Sequence, residues 1–187
     1  MSERHVYVCP AVFAGSLDNV VRRWLQNPRR FLKPYVREGV RAIDFGCGPG
    51  FFTIPLAELV GASGRVTAID LQPEMLEKLR EQLSATGFLD RVRIVQGDTS
   101  CLRDAGPVDF VLAFYVLHEI PDRETFFGEV RKILSTGGSI LVVAPPLHVS
   151  RRAFKETLEI ARASGYAIVA RPRSVFNQCA LLRVATP

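Results

Sequence analysis

A glycine loop between a predicted strand and a predicted helix carries the clearest chemical pattern in the chain. Residues 42–53 read AIDFGCGPGFFT. Alternating glycines allow a ligand to lie directly against the backbone, because no side chain intervenes. A dinucleotide-binding loop of the GxGxxG type would need a third glycine at position 51, where this chain has Phe51. The GxGxG spacing therefore disfavours a nicotinamide-dependent oxidoreductase.

Asp44 lies two residues before the first glycine of this loop, at the end of the predicted strand. A carboxylate there disfavours a diphosphate held at the helix N-terminus and favours a cationic ligand. S-adenosylmethionine fits this requirement, because it is an adenosine without phosphate that carries a sulfonium and an ammonium group. A glycine-rich turn that holds no cofactor is the alternative interpretation.

Two further acids close the next two predicted strands. Asp70 lies twenty residues after Gly50, where a carboxylate can accept hydrogen bonds from both ribose hydroxyls. Asp98 follows Gly97, where it could accept from the exocyclic amine of adenine. Each of these acids could instead be the N-cap of a helix. Together with the glycine loop, the three acids predict one cofactor site at the carboxyl ends of three strands.

His118 follows the fourth predicted strand and is the candidate catalytic residue. Methyl transfer requires a base only if the acceptor must lose a proton, and imidazole has a suitable pKa for that task. His118 could instead hydrogen-bond within the cofactor pocket or cap the next helix. His148 and His5 are the other histidines of the chain. Several aromatic residues are candidates for an apolar acceptor wall or, alternatively, for the core: Phe13, Trp24, Tyr35, Phe51, Phe114 and Tyr115.

Short β-rich runs alternate with amphipathic stretches from residue 40 onward, which predicts a mostly parallel sheet covered by helices. The predicted strands are Val40–Phe45, Arg65–Leu71, Val92–Gly97, Val108–Phe114 and Ser139–Ala144, followed by a hairpin of Tyr166–Ala170 and Ala180–Val184. The predicted helices are Leu17–Leu25, Pro28–Val36 (shortened or bent by Pro34), Phe51–Val60, Pro73–Ala85, Asp122–Leu134 (stopped by Gly137-Gly138) and Ser150–Ala163.

The composition indicates one domain. The chain has 187 residues, 48% of them apolar, so we expect a single domain over 1–187 that includes a helical cap over 1–38. The net charge of +5 lies in residues 1–41, which carry eight basic and three acidic side chains. No apolar run reaches the roughly 18 residues of a membrane span, so we expect a cytoplasmic protein. Four separated cysteines without a CxxC pair predict neither a zinc site nor a disulfide framework.

Residues 35–146 resemble the class I S-adenosylmethionine-dependent methyltransferases, within them the small-molecule branch that acts in ubiquinone and menaquinone biosynthesis. The resemblance rests on the segments DFGCGPG, VTAIDLQPEML, VQGDT, VDFVLAFYVLHEIPD and FFGEVRKILSTGGSILVV. It implies an α/β, Rossmann-like fold with helices on both faces of a seven-stranded, mostly parallel sheet. The implied strand order is 3-2-1-4-5-7-6, with strand 7 antiparallel.

The same resemblance implies a role for each residue of the cofactor site. The methionine portion would lie against Asp44, Gly46, Gly48 and Gly50, and the loop residues Cys47 and Phe51 complete this set. Asp70 and Leu71 would bind the ribose, Asp98 and Thr99 the adenine, and the Ala113-Phe114 backbone would face the ammonium group. No metal ligand is implied.

The acceptor has no signature of its own, so three functions stay open. We expect methyl transfer to a small-molecule partner. The basic N-terminal segment suggests a nucleic-acid methyltransferase, but residues 113–116 lack the Asn/Asp-Pro-Pro-aromatic signature of base methylation. A protein that binds S-adenosylmethionine without transferring the methyl group is the third alternative.

Overall fold

The computed structural model describes residues 27–145, 148–173 and 177–185. The predicted helix Leu17–Leu25, the candidates His5, Phe13 and Trp24, and the part of the cap before residue 27 lie outside these residues. Within the described residues, no helix is both long enough and apolar enough to cross a membrane.

Seven strands form one sheet in the order β3-β2-β1-β4-β5-β7-β6. Strands β1 to β5 pair in parallel, and β7 runs antiparallel to both β5 and β6. The predicted fold class and strand order are therefore confirmed. The strands are β1 Arg41–Phe45, β2 Arg65–Asp70, β3 Val92–Gln96, β4 Val108–Phe114, β5 Leu134–Ala144, β6 Tyr166–Ala170 and β7 Gln178–Val184.

The described residues contain five α-helices. Helix α1, Pro28–Leu32, precedes β1, and α2 Thr53–Val60, α3 Pro73–Thr86, α4 Arg123–Ile133 and α5 Arg151–Ala163 lie between strands. Side chains before three of them accept a hydrogen bond from a first-turn N–H and so define where the helix begins. These caps are Asn27 to Arg30 N at 3.0 Å, Asp122 to Thr125 N at 2.9 Å and Ser150 to Ala153 N at 3.1 Å.

Helix α1 ends at Leu32, before Val36, which confirms the prediction that Pro34 shortens this helix. The predicted boundary between the next-to-last helix and β5 was wrong by several residues. Gly137 and Gly138 do not stop the helix before them. That helix ends at Ile133, and β5 begins at Leu134, which already pairs with Val108 of β4. Strand pairing therefore takes over from the helix before the chain reaches the glycines.

The sheet is buried on both faces, as parallel sheets are. Successive residues of β4 alternate between two apolar clusters: Val111 packs with α4 and α5, whereas Phe110 and Leu112 pack with α1, α2 and α3. The predicted wall aromatic Tyr35 belongs to the second cluster, where its ring stacks on Phe110 at 6.5 Å between centroids. This two-sided core holds the strand ends in fixed positions beneath the candidate site.

Candidate active site

A cavity of about 650 Å³ opens at the carboxyl ends of the parallel strands. It lies where the strand order changes direction between β1 and β4, which is the usual ligand position in open α/β sheets. One end is lined by the glycine loop and by residues that follow β2 and β3. The other end is lined by residues that follow β4 and β5, namely Tyr115, Val116, His118, Glu119, Ile120, Pro121, Asp122, Pro145 and His148.

The glycine loop is hydrogen-bonded to β2 and packs closely against Val116. The backbone N–H groups of Gly46 and Cys47 donate to the Ile69 carbonyl at 2.8 and 3.0 Å. A Cβ on Gly46 would lie 2.6 Å from Val116 Cγ2. At Gly48, by contrast, a Cβ would meet nothing within 4 Å, so this backbone is open to the cavity.

Asp70 connects the end of β2 to this loop. Its Oδ2 accepts from the Gly48 N–H at 2.8 Å, and its Oδ1 accepts from the Gln72 N–H at 3.0 Å. Both oxygens are thereby oriented by the backbone. Because a carboxylate oxygen can accept two hydrogen bonds, each retains a site for a ligand hydroxyl.

Asp44 is buried beneath the loop and keeps only 2% of its surface exposed. Its Oδ2 accepts from the Thr53 hydroxyl at 2.6 Å. Burial raises the pKa of Asp44 to about 7; the Thr53 hydrogen bond lowers this pKa and the negative charge of Asp70 raises it. The sequence predicts a negative charge here, and burial in the folded protein makes that charge less favourable.

Asp98 is the N-cap of the 3₁₀ helix Thr99–Ala105, because its Oδ1 accepts from the Ser100 N–H at 2.9 Å. It also lines the cavity, and its contact with adenine stays a prediction. Hydrogen bonds from the Ser100 hydroxyl and N–H lower the Asp98 pKa. The carboxylate is therefore charged and held at the rim of the cavity.

The structure brings together all but two of the predicted cofactor-site residues. On the wall are Asp44, Gly46, Cys47, Gly48, Phe51, Asp70, Leu71, Asp98, Thr99 and Phe114. Gly50 and Ala113 lie behind the wall: a Cβ on Gly50 would meet Leu79 Cδ1 at 2.5 Å, and Ala113 is fully buried between Phe45 and Val142. Burial and nearby carboxylates raise the pKa of Cys47 well above its usual value, so it remains a thiol.

His118 lies at the other end of the cavity with 29% of its side chain exposed. Its pKa is lowered by burial, and further by electrostatic interaction with His148 and with Arg123. Glu119 Oε1 is 3.9 Å from His118 Nε2, beyond hydrogen-bond distance, so it does not reverse this effect. The imidazole is therefore mostly neutral at pH 7 and able to accept a proton.

Two residues near this end were not identified from the sequence. Asn177 precedes β7 and accepts a hydrogen bond from the Tyr115 hydroxyl. Gln178 Nε2 donates to the Val149 carbonyl at 2.7 Å. Neither residue belongs to a recognisable motif, and both come close to the cavity only because β7 pairs with β5.

A comparison with known families decides the identity of the domain. The profile of a family described as a methyltransferase domain matches residues 42–138, slightly more than half of the chain. The chain belongs to this family. The matched segment of the methyltransferase domain begins in β1 and ends in β5, so it includes the glycine loop, Asp70, Asp98 and His118.

Individual relatives agree with this assignment. The chain is 35% identical over 107 residues to demethylmenaquinone methyltransferase of Staphylococcus aureus strain MRSA252, over 57% of this chain and 43% of that protein. It thus spans less than half the length of that relative. A SAM-dependent methyltransferase from Aquifex aeolicus superposes with a TM-score of 0.84 at 22% identity, over 95% of this chain and 100% of that one. A putative rRNA-methylase from Clostridium thermocellum superposes with a TM-score of 0.71 at 22% identity, over 87% and 96%. The predicted family and fold are confirmed.

Proposed function

We propose that this methyltransferase transfers a methyl group from S-adenosylmethionine to a small-molecule acceptor. The arrangement of Gly48 and Asp70 is the observation that carries the proposal. An open glycine backbone, hydrogen-bonded to a carboxylate with spare acceptor sites, provides a cradle for a ribose and its neighbouring groups. When bound, the cofactor supplies a methyl carbon already activated by its sulfonium.

The cofactor end of the cavity suits a cationic nucleoside without phosphate. The buried Asp44 lies beneath the loop, where a cation would stabilise its ionised form. Asp70 would accept from the ribose hydroxyls, and Asp98 from the adenine amine. Leu71, which is 51% exposed, supplies apolar surface for the same ligand.

The acceptor end combines apolar surface with a proton acceptor. Tyr115, Val116 and Ile120 line it together with the two histidines. His118, mostly neutral at pH 7, would take the proton that a hydroxyl or amine acceptor loses. A cavity of this volume falls in the range of small-molecule sites, and the Staphylococcus aureus relative is named for a small-molecule substrate. Alignment of the acceptor and exclusion of water supply most of the rate enhancement for such a displacement.

Calorimetric titration tests the cofactor half of the proposal. We expect binding of S-adenosylmethionine and S-adenosylhomocysteine and no binding of NAD. Binding of NAD alone would contradict the proposal. A protein that binds S-adenosylmethionine and transfers no methyl group to any acceptor would be a binding module instead.

A transfer assay with labelled S-adenosylmethionine tests the acceptor half. Metabolite pools, a demethylmenaquinone analogue and total RNA are offered in parallel. We expect label in a small molecule. Label in RNA, together with RNA affinity that falls steeply with salt, would replace the small-molecule acceptor with a nucleic acid.

A further inference from the structure

We propose that Asn177 and Gln178, at the start of β7, position the acceptor end of the cavity, and this rests on the proposed function. Asn177 is hydrogen-bonded to Tyr115, which follows β4. Gln178 is hydrogen-bonded to the backbone of Val149, which follows β5. Two adjacent side chains thus hold the two segments that carry the histidines of the cavity.

Tyr115 occupies a backbone conformation that is unfavourable for its type. Its φ of +58° is left-handed, a conformation that residues other than glycine seldom adopt. Several interactions hold it there. Among them, the backbone N–H donates to the Val143 carbonyl at 2.9 Å, the ring lies 4.2 Å from that of Phe114, and the hydroxyl donates to Asn177. Strained residues of this kind persist where the surroundings fix them, and they concentrate at functional sites.

The turn at Tyr115 links both ends of the cavity. The next residue, Val116, lies so close to Gly46 that a Cβ there would be 2.6 Å from Val116 Cγ2. His118 follows two residues later on the acceptor wall. The orientation of Tyr115 therefore determines the direction in which the chain runs from β4, past the glycine loop, to His118.

Gln178 holds the segment that follows β5 and carries His148. The Val149 carbonyl accepts from Gln178 Nε2 at 2.7 Å, and the Val149 N–H donates to the Pro145 carbonyl at 2.9 Å. His148 and Pro145, next to these groups, line the cavity. Gln178 itself is fixed because it pairs with Ala144 in the antiparallel ladder of β5 and β7. The register of β7 thus sets the relative positions of the two histidine segments.

The NMR signals of the histidine rings test whether Asn177 and Gln178 position these two segments. The measurement uses the protein without cofactor or acceptor. We expect Asn177→Leu and Tyr115→Phe to move the His118 ring signals in the same direction, and Gln178→Leu to move those of His148. Asn177→Asp keeps an acceptor for the Tyr115 hydroxyl and should restore the native signals. Tyr166→Phe is the matched control, because the Tyr166 hydroxyl donates to the Phe127 carbonyl in the core and does not line the cavity.

Kinetics with the demethylmenaquinone analogue, or with the acceptor found in the labelled screen, provide the second readout. Asn177→Leu and Tyr115→Phe should each raise the acceptor KM about tenfold, the scale of a modest misplacement, with S-adenosylhomocysteine affinity changed less than twofold. The double variant should be no worse than either single one. Unmoved histidine signals in Asn177→Leu, or equal movement in Tyr166→Phe, would overturn the inference. Failure to bind S-adenosylhomocysteine would instead overturn the proposed function and leave the NMR result valid.

Discussion

The backbone N–H of Gly48 donates to Asp70 Oδ2 at 2.8 Å, which makes the glycine loop and the end of β2 one hydrogen-bonded unit. The conformation of the loop thus depends on the same carboxylate that we propose as the ribose ligand. A ligand seated on Asp70 also meets a loop that is already held in place, which reduces the entropy lost on binding.

Asp70→Ala should weaken S-adenosylhomocysteine binding by about 1.5–3 kcal/mol, the usual scale for a lost charge-assisted hydrogen bond. Calorimetric titration measures this difference. Asp90→Ala is the matched control, because Asp90 is exposed and does not line the cavity. Equal affinity of Asp70→Ala and the native protein would remove the ribose role.

Cofactor affinity should rise with pH through about 7. The folded protein keeps a proton on Asp44 up to that pH, and a cationic ligand must displace it. Titrations between pH 6 and 8 should show the rise in the native protein. Asp44→Asn should bind S-adenosylmethionine weakly and without this pH dependence, and a rise that persists in the variant would contradict the assignment.

The same carboxyl group should make stability depend on pH in the opposite sense. The Asp44 pKa is about 7 in the folded chain against an ordinary 3.8, so the folded state binds more protons between these values. The free energy of unfolding contributed by this group therefore falls as pH rises through that window. Urea denaturation at pH 8 should find Asp44→Asn more stable than the native ligand-free protein, and a less stable variant would argue against a raised pKa.

The loop glycines should separate into two classes. Gly48→Ala meets no atom within 4 Å and has a φ of +52°, so it should cost only about 1 kcal/mol of stability while it obstructs the cofactor. Gly50→Ala places a Cβ 2.5 Å from Leu79 at a φ of +102°, and should cost more than 2 kcal/mol. Denaturation and cofactor titration of both variants check this, and equal stability losses would be the contrary result.

The pH dependence of turnover should distinguish His118 from Asp44. Burial, His148 and Arg123 lower the pKa of His118 below 6.5, so its ability to take a proton is lost only below that pH. At saturating cofactor we expect kcat to stay level down to pH 6.5 and to decline below it. In His118→Ala the decline should be absent and turnover reduced 10²-fold or more. Unchanged turnover in this variant would end the catalytic assignment.

Much of the fold was readable from local pattern. Val108–Phe114 and Tyr166–Ala170 were predicted with their observed bounds, because apolar strands between turn signals leave little ambiguity. The junction of α4 and β5 was missed. Gly137 and Gly138 resemble a helix stop, and only the pairing of Leu134 with Val108 in space shows that the strand begins earlier. Such long-range pairing leaves no local mark in the sequence.

The sequence predicts the residues of the candidate site that belong to a motif. It does not predict those whose contacts depend on tertiary structure. Asp44, Asp70 and Asp98 follow from their positions at strand ends. The raised pKa of Asp44 follows from burial, which spacing alone does not reveal. Asn177 comes near Tyr115, 62 positions away, through the antiparallel ladder at the far side of β5.

The position of β7 also bears on how the protein is made. It is the last strand of the described chain, yet it lies between β5 and β6 in the sheet. During synthesis β5 therefore leaves the ribosome well before β7. Until residues 178–184 are made, the edge of β5 that pairs with β7 keeps unpaired backbone groups. Such an edge can pair with another chain, and non-local pairings form slowly. In a nascent or refolding molecule, this edge of β5 is exposed to pairing with another chain until β7 inserts beside it.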